Sequence, residues 1–502
     1  MTEIFQHILD ALPLLFSVTT ILAMVGGTAI GIAVGALPGL SATMGIAVLI
    51  PLTFTMEPIA ALGMIAGIYN GAMYGGSIPA ILLRIPGTPA GIATVFDGYP
   101  MAQKGQARLA LRISLVSSSI GSGVSAIALL LLAPPLSMIA LKFGPADYFW
   151  LAIFGLMTIA VLLSNNPVKG LLSAVLGLSV GMIGIDMMTG IERFAFDQLE
   201  LLSGVNIIVL LTGLYAIPPA IELALNPVKP AGELQEIKDK SSKFRWATLV
   251  PVWIKASGIG VVTGIIPALG GNVAALFAWN EQRRGDPDKD KYGKGAPEGV
   301  AAPECANNAD TAATLIPALT LGIPGSSVAA VILGALLVHG LVPGPQLFRD
   351  KAEITYAFML SMLVTSFLML VLGTLGARAF INVLKMPTQI LAPMIFVMSI
   401  IGVFAIHNSM FEVWMMLGFG ILGYFMEKLD IPTAPAVLAV ILGPIAEENL
   451  RRALLISGEG FFSLLQGPIS WILVTLILAT TVLPVLTKLW RRKRAKIVDI
   501  AG

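Results

Sequence analysis

The chain has 502 residues, with 31 Lys and Arg against 29 Asp and Glu for a formal net charge of +2. Hydrophobic residues make up 56% and charged residues only 12%, where ordinary soluble domains carry roughly 25% charged residues. That balance excludes a soluble enzyme or a nucleic-acid-binding module. It predicts an all-α polytopic membrane protein with about ten to fourteen spanning or re-entrant segments, some too broken to cross cleanly.

In chain order, Met1–Asp10 carries Glu3 and Asp10 but no Lys or Arg, the opposite of a secretory leader. Leu12–Leu37 is therefore expected as a retained first span. The first interruption is Gly35-Ala-Leu-Pro38-Gly39-Leu40-Ser41, with Thr43 just beyond. A second follows at Asn70-Gly71, Ser77, Pro79, Arg84 and Pro86-Gly87-Thr88. Leu109–Leu132 and Leu201–Leu225 are long enough to span, completing a first membrane half over 1–225. Residues 226–246 mix Lys and Glu, contain Pro227 and Pro230, and lack apolar periodicity, so they predict a solvated linker.

The second half, 247–489, repeats the pattern. Gly264-Ile-Ile-Pro267-Ala268-Leu269-Gly270 matches the first interruption at an offset of 229 residues, with Gly271 and Asn272 beside it. Asn308, Pro317 and Pro324-Gly325-Ser326 match the second at a constant offset of 238. Tyr356–Leu375 and Ile469–Leu486 follow as apolar spans, and 490–502 forms a basic tail expected in the cytoplasm. The sole cysteine, Cys305, excludes an intrachain disulfide.

The loops after the first interruptions differ in charge. Thr55-Met-Glu57-Pro58 has no basic residue, whereas Glu281–Lys291 is long and highly charged. After the second interruptions the bias reverses, with Lys104, Arg108 and Arg112 against only Arg349 and Lys351. This favours two inverted-topology repeats with broken helices.

A proline within a helix removes a hydrogen bond and costs about 3 kcal/mol. Within a membrane such breaks persist only where protein or a watered cavity encloses them. Thr88-Pro89 predicts a helix start with Thr88 as N-cap; Ser326 and Ser327 stand in the matching place. Helix N-termini at mid-membrane suit an anion, each worth about 0.3–1 kcal/mol and up to about 2 when partly buried. The substrate-binding candidates are therefore Pro38, Gly39, Ser41, Thr43, Asn70, Ser77, Arg84, Pro86, Gly87, Thr88, Gly271, Asn272, Asn308, Pro324, Gly325, Ser326 and Ser327. Close helix packing is the competing account of any single Gly or small residue among them.

Asp310 lies in an otherwise apolar run, where a carboxylate costs at least about 2.5–3.5 kcal/mol and pairs or binds a cation. With Asn307, Thr311 and Thr314 it is a candidate site for a coupling Na⁺ or proton; a helix-end carboxylate at the interface is the alternative. Its counterpart is Ala72. Arg84, opposite Gly322, either neutralises an anionic substrate or snorkels to the surface. Glu298 and Glu304 read as interfacial, and His7, His339 and His407 form no metal-ligand cluster.

Gly35–Leu40, Tyr69–Pro79, Ile85–Pro89, Phe96-Asp-Gly-Tyr-Pro100, Pro303–Asp310 and Leu321–Ser326 resemble the large membrane subunit of tripartite tricarboxylate transporters, the TctA family. The resemblance implies a bacterial inner-membrane secondary transporter importing carboxylates with an Na⁺ or H⁺ gradient and no other cofactor. It also implies a small membrane subunit (TctB-like) and a periplasmic solute-binding protein (TctC-like); assembly as a homo-oligomer stays open. The alternative is the permease of an ATP-driven importer. The chain has no phosphate-binding loop of its own, since Gly293-Lys294 is followed by Gly295. No nucleophile–base or metal-ligand constellation suggests an enzyme.

Overall fold

The computed structural model describes residues 2–37, 39–162, 166–186, 188–226, 244–267, 269–384, 388–457, 460–465 and 467–481. Pro38, nearly all of the expected linker and the basic tail lie outside these residues. The chain is helical almost throughout, as its composition requires. Seven helices among the described residues are long and apolar enough to cross a membrane, with shorter apolar helices between them.

The first helices are α1 (Thr2–Leu15), α2 (Val18–Ala36), α3 (Ala42–Thr53), α4 (Pro58–Gly75), α5 (Ser77–Leu83), α6 (Gly91–Met101) and α7 (Ala107–Ala140). Next come α8 (Pro145–Leu162), α9 (Pro167–Gly181), α10 (Ile207–Leu225), α11 (Val250–Ile265), α12 (Gly270–Gly285), α13 (Pro297–Ala313) and α14 (Leu315–Leu321). The last are α15 (Ser327–Val338), α16 (Pro345–Asp350), α17 (Ala352–Leu375), α18 (Ala377–Val383), α19 (Thr388–His407), α20 (Met410–Lys428) and α21 (Ala434–Ser457). They divide into two compact units, Met1–Ala140 with Asn206–Phe425, and Leu141–Val205 with Met426–Gly502.

Within the larger unit, glycines at every fourth position set the closest helix pair. A Cβ added at Gly27, Gly31 or Gly35 of α2 would meet the carbonyl oxygens of Met64, Ile68 or Ala72 of α4 at 2.2–2.5 Å. Only hydrogen fits there, so the two backbones touch, and the ascending order on both helices makes them parallel. The second half does the same: Gly260 and Gly264 of α11 lie against the carbonyls of Ala306 and Asp310 of α13, at 2.3 and 2.9 Å from an added Cβ. In lipid, where apolar surface gains little from burial against apolar surface, such contact is a main source of cohesion.

The smaller unit carries a two-stranded antiparallel hairpin in which Gly184 pairs with Arg193 and Ile185 with Glu192. Asp186 accepts the Met188 amide at 2.9 Å and an Arg451 guanidinium hydrogen at 2.7 Å. The Met188 amide first, and then Arg451, hold its carboxyl well below the usual carboxylate range.

Candidate functional site

Both second interruptions have one backbone design. α5 and α14 are seven-residue helices that end on a left-handed residue, Arg84 (φ 61°) and Gly322 (φ 73°). The following amides reach back alike, Ile85 N–H to the Pro79 carbonyl at 3.4 Å and Ile323 N–H to Pro317 at 3.3 Å. These bonds occupy carbonyls that the helix end would otherwise leave free. Gly87 and Gly325 then press onto matching carbonyls: an added Cβ would lie 2.4 Å from Gly35 O and 2.7 Å from Gly264 O. The two glycines are therefore packing positions, and Pro324 beside the second is buried.

The helices that follow differ. Ser326 caps α15, its hydroxyl accepting the Ala329 amide at 3.2 Å. The expected matching cap at Thr88 does not form. α6 begins at Gly91 without a side-chain cap, and the Thr88 backbone carbonyl accepts the Gly91 amide at 2.9 Å. The Thr88 side chain instead turns inward over Gly76, where its hydroxyl is buried and has no hydrogen-bond partner among the described residues. Pro86 beside it is half-buried.

The first interruption of one half meets the second of the other. Ser41 caps α3 by accepting the Met44 amide at 3.2 Å, after Gly39 has turned the chain at φ 89°. Thr43 Oγ1 lies 3.4 Å from Ser327 Oγ at the start of α15. At the far ends, Thr53 Oγ1 lies 3.5 Å from His339 Nε2. Start meets start and end meets end, so α3 and α15 are parallel and their N-termini stand side by side. Ser41, Ser326 and Ser327 are partly accessible there, and the Tyr69 hydroxyl reaches the Ser326 side chain. Two aligned helix dipoles and several hydroxyls at one place favour an anion.

α13 carries the other polar groups on distinct faces. Asn70 on α4 donates to the Met362 carbonyl at 3.0 Å and to Thr365 Oγ1 at 2.9 Å, and accepts from Thr311 Oγ1 at 3.2 Å. Asn308 donates to the Glu304 carbonyl at 3.0 Å and accepts from Ser122 at 3.3 Å. Ser77 donates to the Tyr74 carbonyl at 2.8 Å. These side chains, all fully buried, are engaged: Asn70 with α13 and α17, Asn308 within α13 and with α7, and Ser77 with the preceding turn.

The third face is unsatisfied. Asn307 Oδ1, Asp310 Oδ1 and Thr314 Oγ1 are buried and have no hydrogen-bond partner among the described residues. They sit at positions i, i+3 and i+7 and so line one side of the helix. The Gly271 amide, in the first turn of α12, donates to the Asp310 carboxyl. An added Cβ at Gly271 would lie 2.4 Å from Asn307 Oδ1, and one at Gly325 would lie 2.3 Å from Thr314 Oγ1. Carboxylate, amide and hydroxyl oxygens are the donors that hard cations take, and three such orphaned atoms fit a small cation. No group of three or more His, Cys, Asp or Glu assembles among the described residues.

Two candidates stand apart. Asn272 is exposed. Arg84 is also exposed, its guanidinium 5.9 Å from the centre of the Tyr99 ring. Glu304, expected at an interface, is instead 2% exposed and accepts from Thr94 and from Ser118 at 3.0 Å. Sequence reasoning also missed Tyr69 and the stripe Ser114, Ser118, Ser122 and Ser125 on α7. Its near-helical spacing in an apolar segment was the available signal.

The sequence profile of the tripartite tricarboxylate transporter TctA family matches residues 21–438. An uncharacterized 52.8 kDa protein in the TAR-I ttuC' 3' region of Agrobacterium vitis is 36% identical over 473 residues, 94% of each chain. A second uncharacterized protein, in the TAR-II ttuC' 3' region of the same organism, is 35% identical over 239 residues, 47% of this chain and 98% of that one. No solved structure matches. With helices that suit a membrane and a profile match over most of its length, the chain is a multi-pass membrane transporter component and belongs to the tripartite tricarboxylate transporter TctA family.

Proposed function

We propose that this chain is the large transmembrane subunit of a three-part secondary importer, driven by an ion gradient and carrying tricarboxylates or related carboxylates. A periplasmic solute-binding protein delivers the substrate and a small membrane subunit completes the complex. In this reading the protein lies in the bacterial inner membrane with its C-terminus in the cytoplasm, and its halves are inverted repeats. Matching short helices and glycine contacts in the two halves support the repeat, and the loop charges support the inversion.

The observation that carries the reading is the pairing of an anion-favouring place with an uncompensated carboxylate. Substrate carboxylate docks at the N-termini of α3 and α15 against Ser41, Thr43, Ser326 and Ser327. The co-transported cation, Na⁺ or H⁺, sits at Asp310, with Asn307 and Thr314 as further oxygen donors. Tyr69 links them, touching Ser326 and lying within the field of Asp310. A bare Asp310 carboxylate repels an anion, and a cation removes that repulsion, so the two bind together. One cation moving down 100 mV supplies about 2.3 kcal/mol, against about 1.4 kcal/mol for a tenfold substrate gradient.

The test is uptake of radiolabelled citrate and other di- and tricarboxylates into ATP-free liposomes holding the complete complex. An imposed Na⁺ or proton gradient should drive accumulation. Asp310→Asn should lower cation-stimulated uptake by about 100-fold, or about 2.7 kcal/mol, with the protein still inserted. Uptake that requires ATP, or unchanged cation dependence in Asp310→Asn, overturns the reading.

A further inference from the structure

A second carboxylate on α13 remains without a role. Glu304 is 2% exposed, and among the described residues no cationic group is paired with it. Its oxygens meet hydroxyls: Thr94 Oγ1 of α6 donates to Oε1, and Ser118 Oγ of α7 donates to Oε2 at 3.0 Å. The Ser114 hydroxyl is also within hydrogen-bonding reach. Glu304 faces α6 and α7, whereas Asp310 accepts from α12, so the two acids occupy separate environments on one helix.

The hydroxyls form a connected line. Ser114 Oγ donates to Ser77 Oγ at 2.6 Å, and Ser77 Oγ donates to the Tyr74 carbonyl at 2.8 Å. All four hydroxyl residues, Thr94, Ser118, Ser114 and Ser77, are at most 1% exposed. Tyr74 and Ile78, on either side of Ser77, line a cavity of about 430 Å³, together with Leu111, Leu115, Arg108 and Arg112. As they stand, both hydroxyls direct their hydrogens away from Glu304, and the two serines lie behind the cavity wall. A hydroxyl both donates and accepts, so turning Ser77 from the Tyr74 carbonyl to Ser114, and Ser114 from Ser77 to Glu304, gives a line directed at the acid. A shell of hydroxyls without a cation accommodates either form of the acid, donating to the carboxylate or accepting from the carboxylic acid.

We propose that Glu304 is a proton-binding site distinct from the Asp310 cation site, loaded through Ser77 and Ser114 from this cavity, and that a proton accompanies substrate. This rests on the ion-coupled reading above. Once both hydroxyls have turned towards the acid, Ser114 gives its hydrogen to the Glu304 carboxylate and takes the one on Ser77, and Ser77 is reprotonated from the cavity side, so the carboxylate becomes a carboxylic acid and both serines end neutral. Release returns the acid to carboxylate. The other titratable groups near it are Tyr74 on α4, Cys305 beside it and Asp97 one turn along α6 from Thr94, while Arg108 and Arg112 of α7 line the cavity. Asp97 already accepts the Gly293, Gly295 and Ala296 amides and the Trp279 indole, at 2.8–3.0 Å.

The test uses the complete complex in liposomes with equal saturating Na⁺ on both sides and an entrapped pH dye, with citrate as substrate. Wild type should acidify the lumen as substrate enters. Glu304→Gln should abolish that acidification, while in parallel vesicles without Na⁺ its uptake should still rise when Na⁺ is added; Asp310→Asn should lose that rise. In the limit where only the protonated form carries substrate, wild-type uptake changes about tenfold per pH unit and Glu304→Gln becomes pH-independent. Wild-type uptake without acidification, or acidification unchanged in Glu304→Gln, overturns the proposal and leaves the Asp310 reading intact. Absence of any ion stimulation in wild type overturns that earlier reading instead. Should Glu304→Gln fail to insert, Ser114→Ala and Thr94→Val decide: both should lower the proton-to-substrate ratio, and an unchanged ratio overturns the role.

Discussion

The second interruptions of the two halves share their backbone and differ in their chemistry. Each has a seven-residue helix, a left-handed terminator and a glycine pressed onto a carbonyl of the preceding helix pair. Yet Asp310 stands where the first half has Ala72, Thr314 where it has Gly76, and Gly322 where it has Arg84. The cluster of three orphaned oxygens, on Asn307 and Asp310 of α13 and on Thr314 just beyond its end, lies at the second half's break, whereas at the first only the Thr88 hydroxyl is orphaned among the described residues. The backbone design thus builds a break in each half, while only the second gathers a buried carboxylate, amide oxygen and hydroxyl that lack partners among the described residues.

Giving the first break the acid of the second should have the largest effect. Ala72 is fully buried on a helix whose backbone touches α2. Ala72→Asp therefore buries a carboxylate with no donor set ready for it, costing at least about 2.5–3.5 kcal/mol. The expected result is little inserted protein; wild-type insertion and thermal stability would show that both breaks tolerate an acid.

The two asparagines sharpen the contrast next. Asn70 holds α4, α13 and α17 together through three hydrogen bonds, whereas Asn308 makes two, one of them within its own helix. Asn70→Ala should cost about 2–4 kcal/mol and Asn308→Ala about 1–2 kcal/mol. Cys305 is the only cysteine and is fully buried, so its labelling by a thiol reagent during heating reads the unfolding directly. Equal losses would remove the assigned difference.

The smallest effect is expected at Arg84→Gly, which installs the second half's residue. Removing a left-handed side chain relieves about 1 kcal/mol, largely offset by about 0.5–1 kcal/mol of glycine backbone entropy. Stability and uptake should stay near wild type. A raised KM for citrate at unchanged kcat would assign Arg84 to anion binding rather than to the helix end.

Much of the fold was legible because membrane burial leaves few options. Apolar length identifies spans, and Pro and Gly mark where they break, so the short helices α5 and α14 fall where the doubled motif stands. Ser326 capped as its position ahead of an apolar run predicts. Thr88 did not, because Gly76 left a space into which its side chain turned, and no local pattern records that. Glu304 and Arg84 were misplaced or ambiguous for the same reason: sequence gives a carboxylate's neighbours along the chain, but its solvent is set by helices far away in the chain.

The sequence by itself determined a membrane protein, its duplicated breaks and the positions where the halves differ chemically. Those follow from composition, proline chemistry and spacing, which are properties of local chain. Only the tertiary structure decided that α3 and α15 present their N-termini together, that Asn70, Asn308 and Ser77 each take a hydrogen bond from or to another helix, and that Asp310 and Glu304 face different helices. Which oxygens remain unpartnered depends on how distant helices are packed around α13, and that packing is fixed by backbone contacts at glycines across the larger unit.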